Sequence, residues 1–279
     1  MPELPEVETV CRGLDPVMVG QVITRIDTHR TGLRVPFPKN LSKSVAGSGV
    51  LRITRRAKYI LVHLDNGLVL VMHLGMSGRM VVEAAGYKPA KHDHMIIHLK
   101  DGRMVAFNDA RRFGVVDLVA EEDLETHKLF THLGPEPLSN EFPGPELAAK
   151  LKGKKTSIKV AIMDQRVVVG VGNIYASEAL FLAGISPKRS AGQVQGERAD
   201  AFVQAIRKVL QKAIKAGGSS LRDYRQADGE LGYFQHQFTV YDREGQACPG
   251  CTCDIAKTKG ILRITQGGRS SFYCPRKQK

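Results

Sequence analysis

The first 133 residues alternate short apolar runs with turn signals, a pattern typical of β-strands. Five runs are rich in β-branched residues: 58–65, 67–75, 79–83, 94–100 and 103–109. Asn66-Gly67 and Asp101-Gly102, which separate neighbouring runs, favour tight hairpin turns. Several short strands at this spacing predict a β-sandwich over residues 1–133.

Helical periodicity flanks the predicted sandwich. At its start, Val7, Val10 and Leu14 share one face of a helix predicted over 5–14. In the second half, four helices are predicted, at 145–152, 157–165, 173–183 and 197–215. Between the two halves, residues 134–146 contain four prolines and two glycines, which predicts a linker or hinge.

These segments predict an α+β fold with two domains and a C-terminal appendage. The β-sandwich occupies 1–133, and a helical domain follows the linker over 147–236. Residues 217–237 are polar and glycine-containing, which predicts a loop. Short strand-like runs over 237–279 predict a β-hairpin.

Composition narrows the class of partner. Lys and Arg number 41 against 28 Asp and Glu in 279 residues, a net charge of +13. With 42% hydrophobic residues, the chain is neither disordered nor collagen-like. The positive excess favours a polyanion, most often nucleic acid. No apolar run approaches the ~20 residues of a membrane span, and the acidic start is unlike a signal peptide, so we expect a cytosolic protein with no membrane partner.

Four of the five cysteines lie in the last 32 residues: Cys248, Cys251, Cys253 and Cys274. In a reducing cytosol, clustered cysteines indicate a metal site rather than disulfides.

The N-terminus carries candidate nucleophilic chemistry. Pro2 is small, so we expect removal of Met1, which leaves a secondary amine with a pKa near ~8. Such an amine can attack an aldehyde-like carbon and form an iminium, and Glu3 and Glu6 offer carboxylates for proton transfer. Taken alone, the segment is also compatible with an ordinary second residue and a solvated helix start.

Longer motifs resemble the formamidopyrimidine-DNA glycosylases, bacterial enzymes that excise oxidised purines. MPELPEVET at the start is followed, in family order, by RRAKYILVHL, HLGMSGRM, KHDH, NDARRFG, THLGPEPL, VVGVGNIYASEAL and GGRSSFYC. The resemblance spans nearly the whole chain. It implies a β-sandwich with an N-terminal helix, a helix–two-turn–helix domain that binds DNA, a C-terminal zinc-finger-like hairpin, and DNA in the cleft between the domains.

The resemblance also implies catalytic roles. The Pro2 nitrogen corresponds to the nucleophile that attacks C1′, Glu3 to the acid/base at the sugar, and Lys58 to a lysine that assists strand cleavage. Lys58 read on its own would be a strand-edge lysine facing phosphates. Arg269 corresponds to a phosphate clamp also described as a proton donor, and we favour the clamp because the pKa of arginine is too high for an acid.

A glycosylase must flip its target base out of the stack and fill the hole. The resemblance assigns that task to Met76, Arg111 and Phe113, where apolar wedges replace stacking and arginine bonds the orphaned base. Without it, Met76 and Phe113 would be interpreted as core residues. His92 resembles a phosphate ligand, although a lone histidine in a turn is usually structural.

Further DNA contacts are implied in the helical domain. Asn173 follows Gly170 and Gly172 at a helix start, where backbone N–H groups can bind phosphate. Lys154 belongs to a series of lysines with no Asp or Glu between them: Lys150, Lys152, Lys154, Lys155 and Lys159. Next to this helix start, we interpret the series as a clamp on the DNA backbone. The loop over 217–237 corresponds to one that covers the flipped base, which assigns lesion recognition to Ser219, Ser220 and Glu6.

The sequence departs from the family in the finger. Members usually have two C-x-x-C pairs, but here Lys277 stands at the last position, and an ammonium cannot bind zinc. Either Cys253 completes a Zn²⁺ site with Cys248, Cys251 and Cys274, or the finger binds zinc poorly or not at all.

The sequence therefore predicts a bifunctional glycosylase and abasic-site lyase of base excision repair. It would act as a monomer on damaged double-stranded DNA in the bacterial cytoplasm, through a Pro2 iminium and β,δ-elimination. Two rival readings remain: an endonuclease VIII-like glycosylase for oxidised pyrimidines, and a damaged-DNA-binding protein without catalysis.

Overall fold

A computed structural model describes residues 1–219, 227, 232–250, 252 and 254–279. The chain divides into two compact units, and the division does not follow chain order. The first unit comprises Met1–Thr131 and Ile214–Gln235. The second comprises His132–Ala213 and His236–Lys279.

Two antiparallel four-stranded sheets form the body of the first unit. Their strands are β1 (Ile23–Thr28), β2 (Val50–Arg56), β3 (Tyr59–Leu64), β4 (Leu68–His73), β5 (Arg79–Glu83), β6 (Asp93–Leu99), β7 (Met104–Asn108) and β8 (Val115–Ala120). One sheet has the order β1-β6-β7-β5 and the other β2-β3-β4-β8. Two helices accompany them, α1 (Leu4–Met18) and α2 (Leu41–Val45).

One apolar cluster joins both sheets and α1. From β3 it takes Ile60, Val62 and Leu64, every second residue, as expected for one face of a strand. Strand β6 contributes residues such as Ile97 with the same alternation, whereas helix α1 contributes residues such as Leu14 at helical spacing. The predicted β-sandwich is thereby confirmed. The helix predicted over 5–14 is also present, and it runs on to Met18, whose side chain is fully buried in the cluster.

Three strands of the sandwich were not among the predicted runs: β1, β2 and β8. All three lie at sheet edges. Edge strands often carry charged residues that discourage pairing with other chains, and such residues hide the apolar alternation. In β2, for example, arginines occupy three of seven positions.

Among its described residues, the second unit contains four short α-helices, most of one longer helix and a two-stranded hairpin. The helices are α3 (Gly144–Leu151), α4 (Ile158–Ile162), α5 (Asn173–Leu182), α6 (Glu197–Lys215), which ends in the first unit, and α7 (Ile255–Thr258). Strands β9 (Leu262–Gln266) and β10 (Arg269–Tyr273) form the hairpin. The helix predicted over 157–165 is shorter than expected, and the other three match closely, so the α+β class is confirmed. Across the described residues, no helix has the length and apolar character that a membrane crossing requires.

The described residues that precede and follow the segment 220–231 lie next to each other. Ser219 pairs with Tyr233 in an isolated bridge. Gly217 and Gly218 both have positive φ, and a Cβ on Gly232 would lie 2.4 Å from the Gly218 carbonyl oxygen. Glycine is therefore needed for this close approach. Ser220, one of the predicted lesion-recognition residues, lies outside the described residues.

Candidate active site

The N-terminal residues are buried at the start of α1. Glu3 is 3% exposed and Glu6 is 2% exposed, while Met1 is 47% exposed. The Glu6 carboxylate accepts the Glu3 backbone N–H at 2.8 Å through one oxygen and the Ser219 N–H at 2.8 Å through the other. Glu6 thus caps the helix and ties the loop at 219 to it. Each of its oxygens accepts one backbone N–H, so Glu6 links the start of α1 to Ser219.

Lys58 occupies a tight turn between β2 and β3. Ala57, the other residue of this turn, has φ of +54°, a left-handed conformation. The Lys58 side chain is 6% exposed, so it is not a lysine displayed at a strand edge. Nearby, the Arg55 guanidinium donates to Glu8 at 3.0 Å, which joins β2 to helix α1. The turn that carries Lys58 is thereby held against the helix that begins beside Pro2.

His73 is a neutral neighbour of Lys58 that the sequence reasoning missed. Burial, followed by the positive charges of Lys58 and Arg34, lowers the pKa of His73 to about 4. Its Nδ1 accepts the Gly75 backbone N–H at 2.9 Å, so the remaining ring proton lies on Nε2. His73 therefore orients the turn that begins at Gly75 and adds no positive charge near neutral pH.

Met76 and Phe113 are not core residues. They are 38% and 42% exposed, each on a turn of the first unit. The two turns touch at Gly75, where φ is +64° and a Cβ would lie 2.4 Å from the Phe113 carbonyl carbon. The Arg111 guanidinium lies 5.1 Å from the Phe113 ring centroid. Two exposed apolar side chains and one arginine are thus gathered on one surface.

His92 lies just before β6 and is half-buried, with φ of +76°. Its ring centroid is 6.2 Å from that of His94. Its backbone oxygen accepts the N–H of Asp109, which connects it to the turn that carries Arg111.

The lysine run preceding α5 is not uniformly solvated. Lys154 is exposed, as expected for a phosphate contact. Lys159, by contrast, is 1% exposed, and its ammonium donates to Asn173 Oδ1 at 2.6 Å, the Ser270 carbonyl at 2.7 Å and Ser271 Oγ at 2.8 Å. The interpretation of Lys159 as part of a surface clamp is therefore wrong. All three of its donors are used to join Asn173 to the hairpin.

Glu178 is a second buried anchor that the sequence reasoning missed. It lies on α5 and is 3% exposed. Its carboxylate accepts the backbone N–H groups of Thr239, Val240 and Tyr241 at 2.8–2.9 Å, together with the Thr239 hydroxyl. A buried carboxylate with this many donors holds the chain entering the finger against α5.

Arg269 is exposed at the tip of the β9–β10 hairpin. The two preceding residues, Gly267 and Gly268, have φ of +53° and +72°, as a tight two-residue hairpin turn requires. The tip therefore presents a guanidinium to solvent, which suits a phosphate contact.

Two of the four predicted zinc ligands are described, and they lie together. Cys248 and Cys274 are 5% and 1% exposed, and burial together with a hydrogen bond to Cys274 raises the pKa of Cys248 to about 11. Cys251 and Cys253 lie outside the described residues, and among the described ones no cluster of three or more metal-binding side chains is found. The Lys277 ammonium lies 4.1 Å from the Phe181 ring centroid.

Comparison with known proteins matches both halves of the chain to domains of one family. Residues 1–116 match the formamidopyrimidine-DNA glycosylase N-terminal domain, and residues 133–225 match the formamidopyrimidine-DNA glycosylase H2TH domain. A formamidopyrimidine-DNA glycosylase of Cereibacter sphaeroides is 54% identical, with 100% of both chains covered.

Solved structures agree with this placement. The MutM (Fpg) protein from Thermus thermophilus has a TM-score of 0.87 and 39% identity, covering 99% of this chain and 98% of that one. The Lactococcus lactis Fpg in complex with DNA containing N7-benzyl-Fapy-dG has a TM-score of 0.90 and 32% identity, with 100% of both chains covered.

Proposed function

The chain belongs to the formamidopyrimidine-DNA glycosylase family and is a DNA glycosylase of base excision repair. From this premise we propose that it excises oxidised purines from duplex DNA and then cuts the strand at the abasic site. The observation that carries the catalytic part is the burial of Glu3 directly after Pro2, at the capped start of α1. An acid is thereby placed next to the only backbone nitrogen that is a secondary amine once Met1 is removed.

The first step forms one bond and breaks another. The lone pair of the Pro2 nitrogen bonds to C1′ of the damaged nucleotide, the glycosidic bond breaks with its electrons leaving on the base, and the proton that the amine nitrogen loses neutralises the departing base. Glu3 delivers a proton to the ring oxygen of the sugar, which opens the ring and leaves an iminium between Pro2 and C1′.

Strand cleavage follows from the iminium. Loss of a proton from C2′ expels the 3′ phosphate, and loss of a proton from C4′ then expels the 5′ phosphate in a second elimination. Water hydrolyses the remaining iminium and frees the Pro2 amine. Lys58, buried in its turn between β2 and β3, assists these steps through its positive charge near the phosphates. Arg269 at the exposed hairpin tip clamps a phosphate.

The exposed side chains of the first unit handle the DNA that remains after base flipping. Met76 and Phe113 fill the space that the base leaves, and Arg111 bonds the base opposite. His92 contacts a phosphate. What supports these roles is their exposure on turns that touch at Gly75.

In the second unit, Lys154 and Asn173 bind the DNA backbone. Asn173 is oriented for this by Lys159. In the first unit, Glu6 holds Ser219 in place at the start of the lesion-recognition loop, to which Ser220 also belongs.

The finger is proposed to bind one Zn²⁺ through Cys248, Cys251, Cys253 and Cys274. The two described thiols support this because they are buried and adjacent, which is the arrangement that half of a thiolate site needs. Bound zinc would staple a segment too short to fold on its own core. Metal analysis tests the proposal: less than about half an equivalent of zinc per chain would reject the site and favour a hairpin held by apolar packing alone.

The partner is damaged double-stranded DNA, bound by one copy of the chain in the bacterial cytoplasm. Borohydride trapping on duplexes that carry 8-oxoguanine, a ring-opened purine or an oxidised pyrimidine tests the function, because only an iminium is reduced to a stable crosslink. Trapping on the purine lesions is expected. A preference for oxidised pyrimidines would favour the endonuclease VIII-like reading, and binding without trapping would favour a non-catalytic protein.

A further inference from the structure

Asp109 is a buried carboxylate at the centre of the surface that carries Met76, Arg111 and Phe113. It follows β7 directly and is 0% exposed. One of its oxygens accepts the Ser77 hydroxyl at 2.6 Å, and the other accepts the Gly114 N–H at 2.8 Å. Asp109 therefore joins the turn that contains Met76 to the turn that contains Phe113.

The same contacts orient Arg111. Its backbone N–H lies 3.1 Å from Ser77 Oγ and 3.3 Å from Asp109 Oδ1, so it donates into the junction of the two side chains. The next residue, Arg112, has φ of +58° and donates its N–H to the Asp109 carbonyl at 3.2 Å. The path of the chain on both sides of the Arg111 side chain is thus set by Asp109.

The Asp109 backbone is in turn fixed to β6. Its N–H donates to the His92 carbonyl at 3.0 Å, and its carbonyl lies 2.9 Å from His94 Nε2. Asp109 thereby connects the turns that carry Met76, Arg111 and Phe113 to the His92 backbone and to strand β6.

Packing leaves the carboxylate little freedom. A Cβ on Gly114 would lie 3.1 Å from Asp109 Oδ2 and 2.8 Å from the Phe107 ring. Burying a carboxylate is unfavourable unless hydrogen bonds offset the lost hydration, and here a hydroxyl and backbone amides do so from two turns. These directional hydrogen bonds fix the position of the Asp109 carboxylate. A fixed carboxylate suits the task of placing the Arg111 side chain within fractions of an ångström.

We propose that Asp109 is a positioning residue for specificity: through Ser77, it holds Arg111 in the orientation that reads the base opposite the lesion. The proposal rests on the proposed function, since it presumes that Arg111 makes that contact. It adds two residues, Asp109 and Ser77, that do not themselves contact DNA. Their substitution should nevertheless change the preference for the base opposite the lesion.

Two variants separate this role from general support of the fold. Ser77→Ala removes the hydroxyl between Asp109 and the Arg111 N–H. Asp109→Asn keeps one acceptor oxygen but turns the other into a donor, so one of the two turns loses its partner. Asp101→Asn is the matched control, because it makes the same chemical change in the exposed β6–β7 turn, where Asn-Gly is equally suitable.

The experiment measures affinity for duplexes that hold a tetrahydrofuran abasic-site analogue opposite C, G, T or A, together with excision of 8-oxoguanine in the same four contexts. We expect the wild type and Asp101→Asn to share one opposite-base preference. In Ser77→Ala and Asp109→Asn this preference should shrink by about tenfold, the size of one good base contact, while borohydride trapping on abasic DNA changes less than about threefold.

The outcomes distinguish the two proposals. A wild type that binds with an opposite-base preference but neither excises nor traps would reject the proposed catalysis and leave the positioning role testable by affinity. A folded Ser77→Ala variant with the full preference would overturn the positioning role even if Asp109→Asn fails to fold. A wild type without any preference would overturn it as well.

Discussion

The ammonium of Lys277, which stands where the family resemblance implied the last cysteine of the finger, lies 4.1 Å from the ring centroid of Phe181. Phe181 lies near the end of its helix, inside an apolar cluster that also contains Cys248 and Cys274. A lysine cannot bind zinc, but a cation above an aromatic face stabilises the contact between two elements. Lys277 therefore connects the tail to α5 without a metal.

The following residue strengthens that connection. Gln278 is 3% exposed, and its amide accepts the Cys274 N–H at 2.8 Å and donates to the Ile185 carbonyl at 2.9 Å. The Lys279 carbonyl accepts the Ser186 N–H at 3.0 Å. The C-terminal residues are thus hydrogen-bonded to the turn after α5. Just beyond that turn, the Pro187 carbonyl accepts from the Gln266 side chain of β9, on the hairpin that presents Arg269.

Lys277→Ala should weaken the finger. Loss of the cation–aromatic contact is expected to lower the free energy of unfolding by about 1 kcal/mol. Lys257→Ala, which removes an 85% exposed lysine from the same segment, is the control and should have little effect. Urea unfolding of the two variants at equal zinc content measures the difference. Equal stability of the two would show that the ring contact contributes nothing.

Two lysines of one run should behave in opposite ways. Lys154→Ala is expected to weaken binding to all duplexes alike and to reduce the salt dependence by about one ion, with no change in stability. Lys159→Met should instead lower the free energy of unfolding by about 3 kcal/mol, because it removes a buried ammonium and leaves its three acceptors, of which Ser271 is buried, without their donor.

Salt titration of DNA binding and urea unfolding, applied to both variants, check this pair. If Lys159→Met is as stable as the wild type and changes only the salt slope, the buried network does not exist as described.

His73 should make stability depend on pH. Its pKa is about 4 in the folded chain and near 6.5 when exposed, so the unfolded state binds more protons between these values. The contribution of His73 is fully present above pH 6.5 and is lost as the pH falls toward 4. The wild type should therefore lose up to about 1.4 kcal/mol per pH unit more than His73→Asn in this window.

Unfolding free energies at intervals from pH 7 to pH 4 measure both slopes, with His132→Asn, at an exposed position, as control. Asparagine keeps an acceptor for the Gly75 N–H but does not titrate. Parallel curves for the wild type and His73→Asn would contradict the assigned cause.

Local pattern predicted the elements whose burial repeats regularly. In α6, Phe202, Ile206, Val209 and Ala213 are buried at helical spacing, and the helix was predicted with its observed bounds. Strands β1 and β2 were not predicted because these edge strands mix arginine and threonine with their apolar residues, which hides the alternating pattern. Hairpin turns at Gly67 and Gly102 were predictable because the dipeptide itself favours the conformation.

The candidate site was only partly accessible from sequence. Motif resemblance marked Pro2, Arg111 and Arg269, but it did not show what holds them. Asp109 and Lys159 each have a partner from a distant segment of the chain: Ser77 is 32 residues from Asp109, and Ser271 is 112 residues from Lys159. No local periodicity encodes such pairs, so a buried lysine looked like its solvated neighbours.

The nucleophile can be tested with two proteins that differ by one residue. One is processed to a free Pro2 amine, and the other keeps a single glycine before Pro2. In the second, the Pro2 nitrogen is an amide whose lone pair is delocalised, so it cannot attack C1′. Because Met1 is 47% exposed, the added residue has room and should not disturb the fold. Borohydride trapping should fall by at least about a hundredfold, while affinity for a tetrahydrofuran duplex stays within about threefold, since phosphate contacts dominate binding.

Glu3→Gln, with a free Pro2, should bind equally well but form the iminium slowly. If the extended protein traps DNA at the rate of the free one, another amine is the nucleophile, and loss of trapping in Lys58→Met would then identify it.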